Sequence, residues 1–121
     1  MLRALQTPTN PVDRHFLLLT IVQQAYRNRN NPEMRSILLK HARQHVDEFS
    51  GLAGPLKQEL GKLPQVPTFP YLATVLTEDG HYDEAIEVCR KAINFGLDDG
   101  TKSGFAGRIE RIRKKQHRTA G

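Results

Sequence analysis

The chain lacks the residues on which several classes of protein depend. Its 121 residues include no Trp and one cysteine, Cys89, which excludes an intramolecular disulfide and a zinc site built from several cysteines. Its longest apolar run, from Phe16 to Val22 with Thr20 in between, is far shorter than the roughly 20 residues that span a bilayer. The first residues, MLRALQTPTNP, contain no apolar segment of a secretory signal. We therefore expect a cytoplasmic protein that does not span a membrane.

Net charge is absent from most of the chain. Residues 1–104 carry 12 Lys and Arg against 12 Asp and Glu, whereas residues 105–121 carry six basic residues against Glu110 alone. The formal charge of +5 therefore lies in the last segment. A uniformly basic surface would indicate nucleic-acid binding, and one basic terminus indicates it more weakly. The candidate basic patch consists of Arg108, Arg111, Lys114 and Lys115.

The alternating pattern of a β-strand is also missing over any useful length. Apolar residues recur instead at intervals of three and four, which predicts an all-α chain of short antiparallel helices in a single domain. Gly51 and Gly54 are predicted to end the second helix, Thr68 to cap the helix that begins at Phe69, and Gly107 to allow close packing of helices. The predicted elements are a helix pair within 12–49, a short connecting helix over 55–62, a second pair within 66–99 and a last helix over 103–117. On the first helix, the residues predicted to face inward are Phe16, Leu19, Val22 (or Ile21) and Tyr26.

The 34 residues from 66 to 99 carry a specific series of large and small side chains. Phe69 and Leu72 are followed by the small Ala73, and the sequence GHYDEAI at 80–86 combines a turn glycine with the opening of a second helix. In these features the segment resembles a tetratricopeptide repeat, a helix–turn–helix unit of this length. The resemblance implies that Ala85 and Ala92 are small because the paired helices cross closely there. The segment departs from the usual pattern at Leu76, Cys89 and Leu97, where the family has two aromatic residues and a proline.

The resemblance is weaker outside this segment. Residues 12–49 fit the same template as a degenerate helix pair, because Gln23 and Arg35 stand where small residues belong. The last helix, with its polar outer face, resembles the capping helix that closes such arrays. The chain is similar in this respect to small bacterial tetratricopeptide-like proteins. Together these likenesses imply a short superhelix of stacked helix pairs with a C-terminal cap.

The resemblance also implies a function. Proteins of this family bind other proteins or peptides on a concave surface lined by the first helix of each pair. We therefore expect a non-catalytic interaction scaffold without cofactors, whose partner is a protein or peptide. The residues expected to line its surface are Thr20, Gln24 and Arg27 on the first helix pair, and Pro70, Tyr71, Thr74 and Glu78 on the second.

No set of residues indicates catalysis or metal binding. His41 and His45 leave one helix face, but the run HARQH lacks the glutamate of a zinc-hydrolase helix, and we interpret both as surface histidines. Cys89 lies between Ala85 and Ala92 and is predicted to be a small buried apolar residue. The run GTKSG has neither the spacing nor the preceding strand of a phosphate-binding loop. The sequence therefore predicts no enzyme and no metal site.

Two alternatives remain open. The basic C-terminal helix could contact phosphates, in which case the chain is a nucleic-acid-associated regulator. The first helix is apolar around more than one face, and a helix of this kind needs a second neighbour. That neighbour is either the short helix at 55–62 or a second copy of the chain, and the sequence favours a homodimer through the first helix.

Overall fold

The structure is a computed structural model that describes residues 10–119 in full and the backbone of Ala120. Most of the segment considered for a secretory signal, residues 1–9, lies outside the described residues. The prediction of an all-α chain is confirmed, since the described residues contain five helices and no strand. The chain divides into two compact units, Met1–Pro64 and Gln65–Gly121. None of the described helices combines the length and the apolar character needed to cross a membrane.

The first unit is a pair of helices, α1 (Pro11–Arg27) and α2 (Pro32–Leu60), packed against each other. The side chain of Asn10 accepts a hydrogen bond from the Asp13 amide, and Asn31 accepts from two amides at the start of α2. Both helices have proline in their first turn, where no helical hydrogen bond is lost. These caps and prolines fix the starts of the two helices.

The prediction that α2 stops at Gly51 and Gly54 is wrong. α2 runs on through both glycines and through Pro55, so that a separate helix over 55–62 does not exist. It ends at Gly61, whose φ of 82° is left-handed. Leu38, Ala42, His45, Phe49, Leu52 and Leu56 continue one buried series at alternating intervals of three and four. Burial of this continuous stripe outweighs the low helix propensity of the glycines.

The buried face of α1 also differs from the predicted one. The buried residues are His15, Leu18, Ile21, Val22 and Ala25, while Phe16 keeps 43% of its surface exposed. The stripe is therefore rotated by about one residue from the predicted face. The prediction misses this face because a histidine counts as polar in a hydropathy pattern. In the structure, the buried ring of His15 begins the series that Leu18 and Val22 continue.

The second unit contains α3 (Thr68–Glu78), α4 (Tyr82–Asn94) and α5 (Gly104–Ala120). α4 packs against both α3 and α5. Ala85, Cys89 and Ala92 form its buried face, as predicted, and burial raises the pKa of the Cys89 thiol to about 11. The turn glycines Gly80 and Gly96 have φ of 81° and 75°, the left-handed conformation expected at the ends of α3 and α4.

Two local predictions in this unit are wrong. Thr68 does not cap α3 with its side chain; it is the first residue of the helix, it is fully buried, and Pro67 occupies the cap position. Gly107 was expected to allow close packing of helices. A Cβ atom at 107 would instead overlap the side chain of Ser103, which lies over the first turn of α5. The absence of a side chain at Gly107 therefore leaves room for the end of the loop that precedes α5.

Candidate functional site

The candidate site is a cleft between α3 and α5 in the second unit. Both helices pack on α4, and the space between them has a volume of about 280 Å³. α3 contributes residues one turn apart and α5 contributes residues at intervals of three and four, so each helix presents one continuous face. The lining residues are Ala73, Thr74, Thr77 and Glu78 from α3, and Arg108, Arg111, Ile112 and Lys115 from α5.

The wall formed by α5 begins with an arginine that is held in place. The Nε and Nη2 atoms of Arg108 both donate to Oδ2 of Asp99 at 3.3 Å, and Nη1 donates to Oγ1 of Thr74 at 3.4 Å. Burial by itself would raise the pKa of Asp99, but hydrogen bonds from Thr101 and the nearby Arg108 hold this pKa below its usual range. Asp99 is thus ionised at neutral pH and balances the charge of Arg108 locally. Arg108 connects α5 to α3 and shapes the cleft.

The other two cations are more available to a ligand. Arg111 is exposed, and its Nη1 donates to Oγ of Ser103 at 3.0 Å, which leaves further N–H groups of the guanidinium able to bind. Lys115 is exposed and has no side-chain ion pair or hydrogen bond among the described residues. Across from them stands Glu78, while the buried Ala73 and Ile112 supply an apolar floor. The cleft therefore combines two accessible cations with a small apolar surface.

The predicted surface residues are distributed over three places. Thr74 and Glu78 line the cleft, whereas Pro70 and Tyr71 line a separate cavity of about 180 Å³ near Asp98 and Asp99. The three residues on α1 belong to the first unit, where the hydroxyl of Thr20 donates to the carbonyl of Phe16, and Gln24 and Arg27 are exposed. Their membership of one binding surface stays a prediction.

The basic patch also divides between two faces of α5. Three of its members, Arg108, Arg111 and Lys115, line the cleft. Lys114 lies on another face with Arg113 and Arg118, where Arg113 donates to Glu110 at 3.2 Å. Two groups of residues selected for different reasons, position on α3 and charge on α5, thus meet in one cleft. No pattern in the sequence indicates this meeting, because it depends on how α4 orients its two neighbours.

The histidines of the first unit are not surface residues. His41 is 7% exposed and His45 is fully buried, so their interpretation as surface histidines is wrong. Nε2 of His45 lies 2.9 Å from Nδ1 of His15, which is also fully buried. Position in the apolar stripes of α1 and α2 could have identified each of these histidines as buried, but not their contact. Within the described part of the chain, no cluster of three or more His, Cys, Asp or Glu side chains is arranged to hold a metal ion.

Comparison with protein-family models, with curated protein sequences and with solved structures finds no match to this chain. The likeness to tetratricopeptide repeats therefore remains a prediction from the residues of 66–99. The candidate site is supported by its own geometry.

Proposed function

We propose that the chain is a non-catalytic interaction scaffold and that the cleft between α3 and α5 binds an acidic segment of a partner protein. The observation that carries this proposal is the convergence of Thr74 and Glu78 with Arg111 and Lys115 on one cleft. The proposal places the chain in the cytoplasm, where the free thiol of Cys89 stays reduced.

The chemistry of the cleft favours a carboxylate-bearing peptide. A guanidinium such as that of Arg111 can donate two parallel hydrogen bonds to a carboxylate, and the ammonium of Lys115 adds a second positive charge one turn away. Glu78 repels a ligand whose negative charge extends over the whole cleft and thereby favours one with an isolated acidic group. The apolar floor at Ala73 and Ile112 fits a small apolar side chain next to that group.

The test is a binding experiment with two matched double variants of α5. Arg111→Gln with Lys115→Gln removes both accessible cations of the cleft, and Arg113→Gln with Lys114→Gln removes the same charge from another face of the same helix. The probe is a fluorescent acidic peptide pool in which each peptide carries one Asp or Glu next to small apolar residues, and its counterpart has Asn or Gln at that position. We expect the cleft variant to lose at least about tenfold in affinity for the acidic pool, the loss of one charge-assisted contact or more.

The control variant is expected to bind the acidic pool as the wild-type chain does. Equal losses of affinity in both variants would contradict binding in the cleft. They would indicate that the acidic peptides are attracted to the positive charge of α5 in general. In that case a labelled single-stranded RNA should bind with an affinity that falls steeply with salt, because neutralised phosphates release counterions. That result would favour the nucleic-acid-associated alternative.

We also propose a homodimer through α1. The residue that suits this role is Phe16, the large apolar side chain of α1 that stays 43% exposed, whereas Leu18 is fully buried and its replacement by a charge would disrupt the first unit. Phe16→Glu is therefore expected to convert a dimer of 13.7 kDa chains to monomer without loss of helix, as measured by light scattering and circular dichroism. A wild-type chain that stays monomeric at high concentration would contradict the dimer.

A further inference from the structure

A pair of histidines joins the two helices of the first unit. His15 on α1 and His45 on α2 are both fully buried, their ring centroids are 4.8 Å apart, and Nδ1 of His15 lies 2.9 Å from Nε2 of His45. The other ring nitrogen of His15, Nε2, is buried and has no hydrogen-bond partner among the described residues. Phe49 lies close to both rings, with centroids 6.0 and 6.2 Å away.

The contact requires that at least one ring be neutral. A neutral imidazole offers one donor and one acceptor nitrogen, so one ring donates to the other across the 2.9 Å contact. When both rings have taken up protons, both facing nitrogens carry hydrogen and the bond is lost. Two positive charges would then lie side by side in an apolar site, where charged groups are poorly solvated.

The charged neighbours offset this repulsion only in part, because the charge of Glu48 raises the pKa of His45 whereas burial, the charge of His15 and that of Arg14 lower it. On α1, Arg14 directly precedes His15 and adds a further positive charge. On α2, Glu48 is the nearby carboxylate, but it accepts hydrogen bonds from Nε and Nη2 of Arg14 at 2.9 and 2.8 Å. This ion pair lowers the pKa of Glu48 and raises that of Arg14, so Glu48 is already paired with another cation.

We propose that the His15–His45 pair is a proton-sensitive latch, which holds α1 against α2 at neutral pH and releases it in mild acid. The protons come from solvent and bind to the open form, in which both imidazoles are hydrated. The latch belongs to the first unit and does not depend on the function of the cleft.

The direction of the pH effect follows from burial. Burial lowers the pKa of His15 to about 4 and, together with the charge of His15, lowers that of His45 to about 3, compared with about 6.5 in an open chain. The stabilising contribution of the neutral pair is therefore complete above pH 6.5 and is lost as the pH falls toward 4. Between these values the opening constant rises by about tenfold per pH unit for each proton taken up.

The experiment follows the opening of α1 by amide hydrogen exchange, corrected for intrinsic rates, together with NMR titration of the histidine rings from pH 7.5 to 4.8. In the wild-type chain, we expect the opening constant of α1 and α2 amides to rise at least tenfold per pH unit below 6.5. Both rings should stay neutral as long as these amides are protected.

Two variants separate the latch from general acid sensitivity. His15→Leu with His45→Met replaces both rings by apolar side chains of similar size, and its opening constant should stay flat from pH 6.5 to 5. His81→Gln with His117→Gln removes two exposed histidines of the second unit and should open as the wild type does. If the first variant fails to fold, the ring titration decides alone. Wild-type rings that take up protons near pH 6.5 while α1 stays protected would overturn the proposal, and so would an acid-sensitive His15→Leu, His45→Met chain.

Discussion

Replacing Phe69 by alanine is expected to lower the free energy of unfolding by roughly 3–5 kcal/mol, the range for a deleted core aromatic ring. Phe69 lies in the first turn of α3, is fully buried, and has its ring centroid 6.2 Å from that of Phe95 at an interplanar angle of 66°. Its deletion removes both the buried apolar surface and the edge-to-face contact with Phe95. Since small domains are stable by only about 5–15 kcal/mol, this loss is a large fraction of the total, and the variant should unfold at a clearly lower urea concentration than the wild-type chain.

The measurement is urea denaturation followed by far-UV circular dichroism. Ile93→Ala is the matched control, because Ile93 is a large apolar residue of the same unit that remains 45% exposed. It should cost less than about 1 kcal/mol, as do most surface substitutions. Similar costs for the two variants would mean that α3 does not pack as described.

The helices that could be predicted from the sequence are those in which local signals and burial agree. In α4, apolar spacing, the acidic residues Asp83 and Glu84 in the first turn and Gly96 beyond the end all indicate the same element, and the structure contains it. In α2 the signals conflict. Gly51, Gly54 and Pro55 locally favour a break, whereas burial of the stripe around them favours continuation. Burial in the tertiary structure outweighs the local signals. Only the apolar spacing along the whole of 38–56 indicates that the helix continues.

The histidines were missed for a related reason. A histidine counts as polar in a hydropathy pattern. His15 and His45 nevertheless occupy core positions, because a ring nitrogen of one forms a hydrogen bond with a ring nitrogen of the other. A pair of complementary polar groups can be buried where one alone would be costly. The sequence places these residues 30 positions apart and contains no local sign that they meet.

The cleft illustrates the same division between local and tertiary information. Charge located the basic residues on α5, and the repeat template located Thr74 and Glu78 on α3. Neither source distinguishes Lys115 in the cleft from Lys114 on another face, although they are neighbours in sequence. That distinction depends on the rotation of α5 on α4, which Phe105, Ile109 and Ile112 determine by their burial.

Enlarging a small residue of α4 is also expected to lower the free energy of unfolding. Here the cause is overfilling of the core, whereas replacing Phe69 by alanine leaves a cavity. Ala85 and Ala92 are fully buried on the helix that packs against both α3 and α5. A leucine at either position adds three carbon atoms to a site without room for them, and the resulting strain should lower the free energy of unfolding by roughly 1–3 kcal/mol. Because α4 supports both walls of the cleft, Ala92→Leu should also weaken binding of the acidic peptide pool.

The control for this experiment is Arg90→Leu, which places the same side chain on an exposed position of α4. Among the described residues, the side chain of Arg90 has one partner, Glu87, in an exposed ion pair at 3.7 Å, a kind of contact worth about 0–1 kcal/mol. Thermal unfolding should therefore separate the two leucine variants clearly. If Ala85→Leu and Ala92→Leu both unfold at the wild-type temperature, α4 does not cross its neighbours closely. The small residues would then have no structural role, and the likeness of 66–99 to a tetratricopeptide repeat would lose the observation on which it depends most.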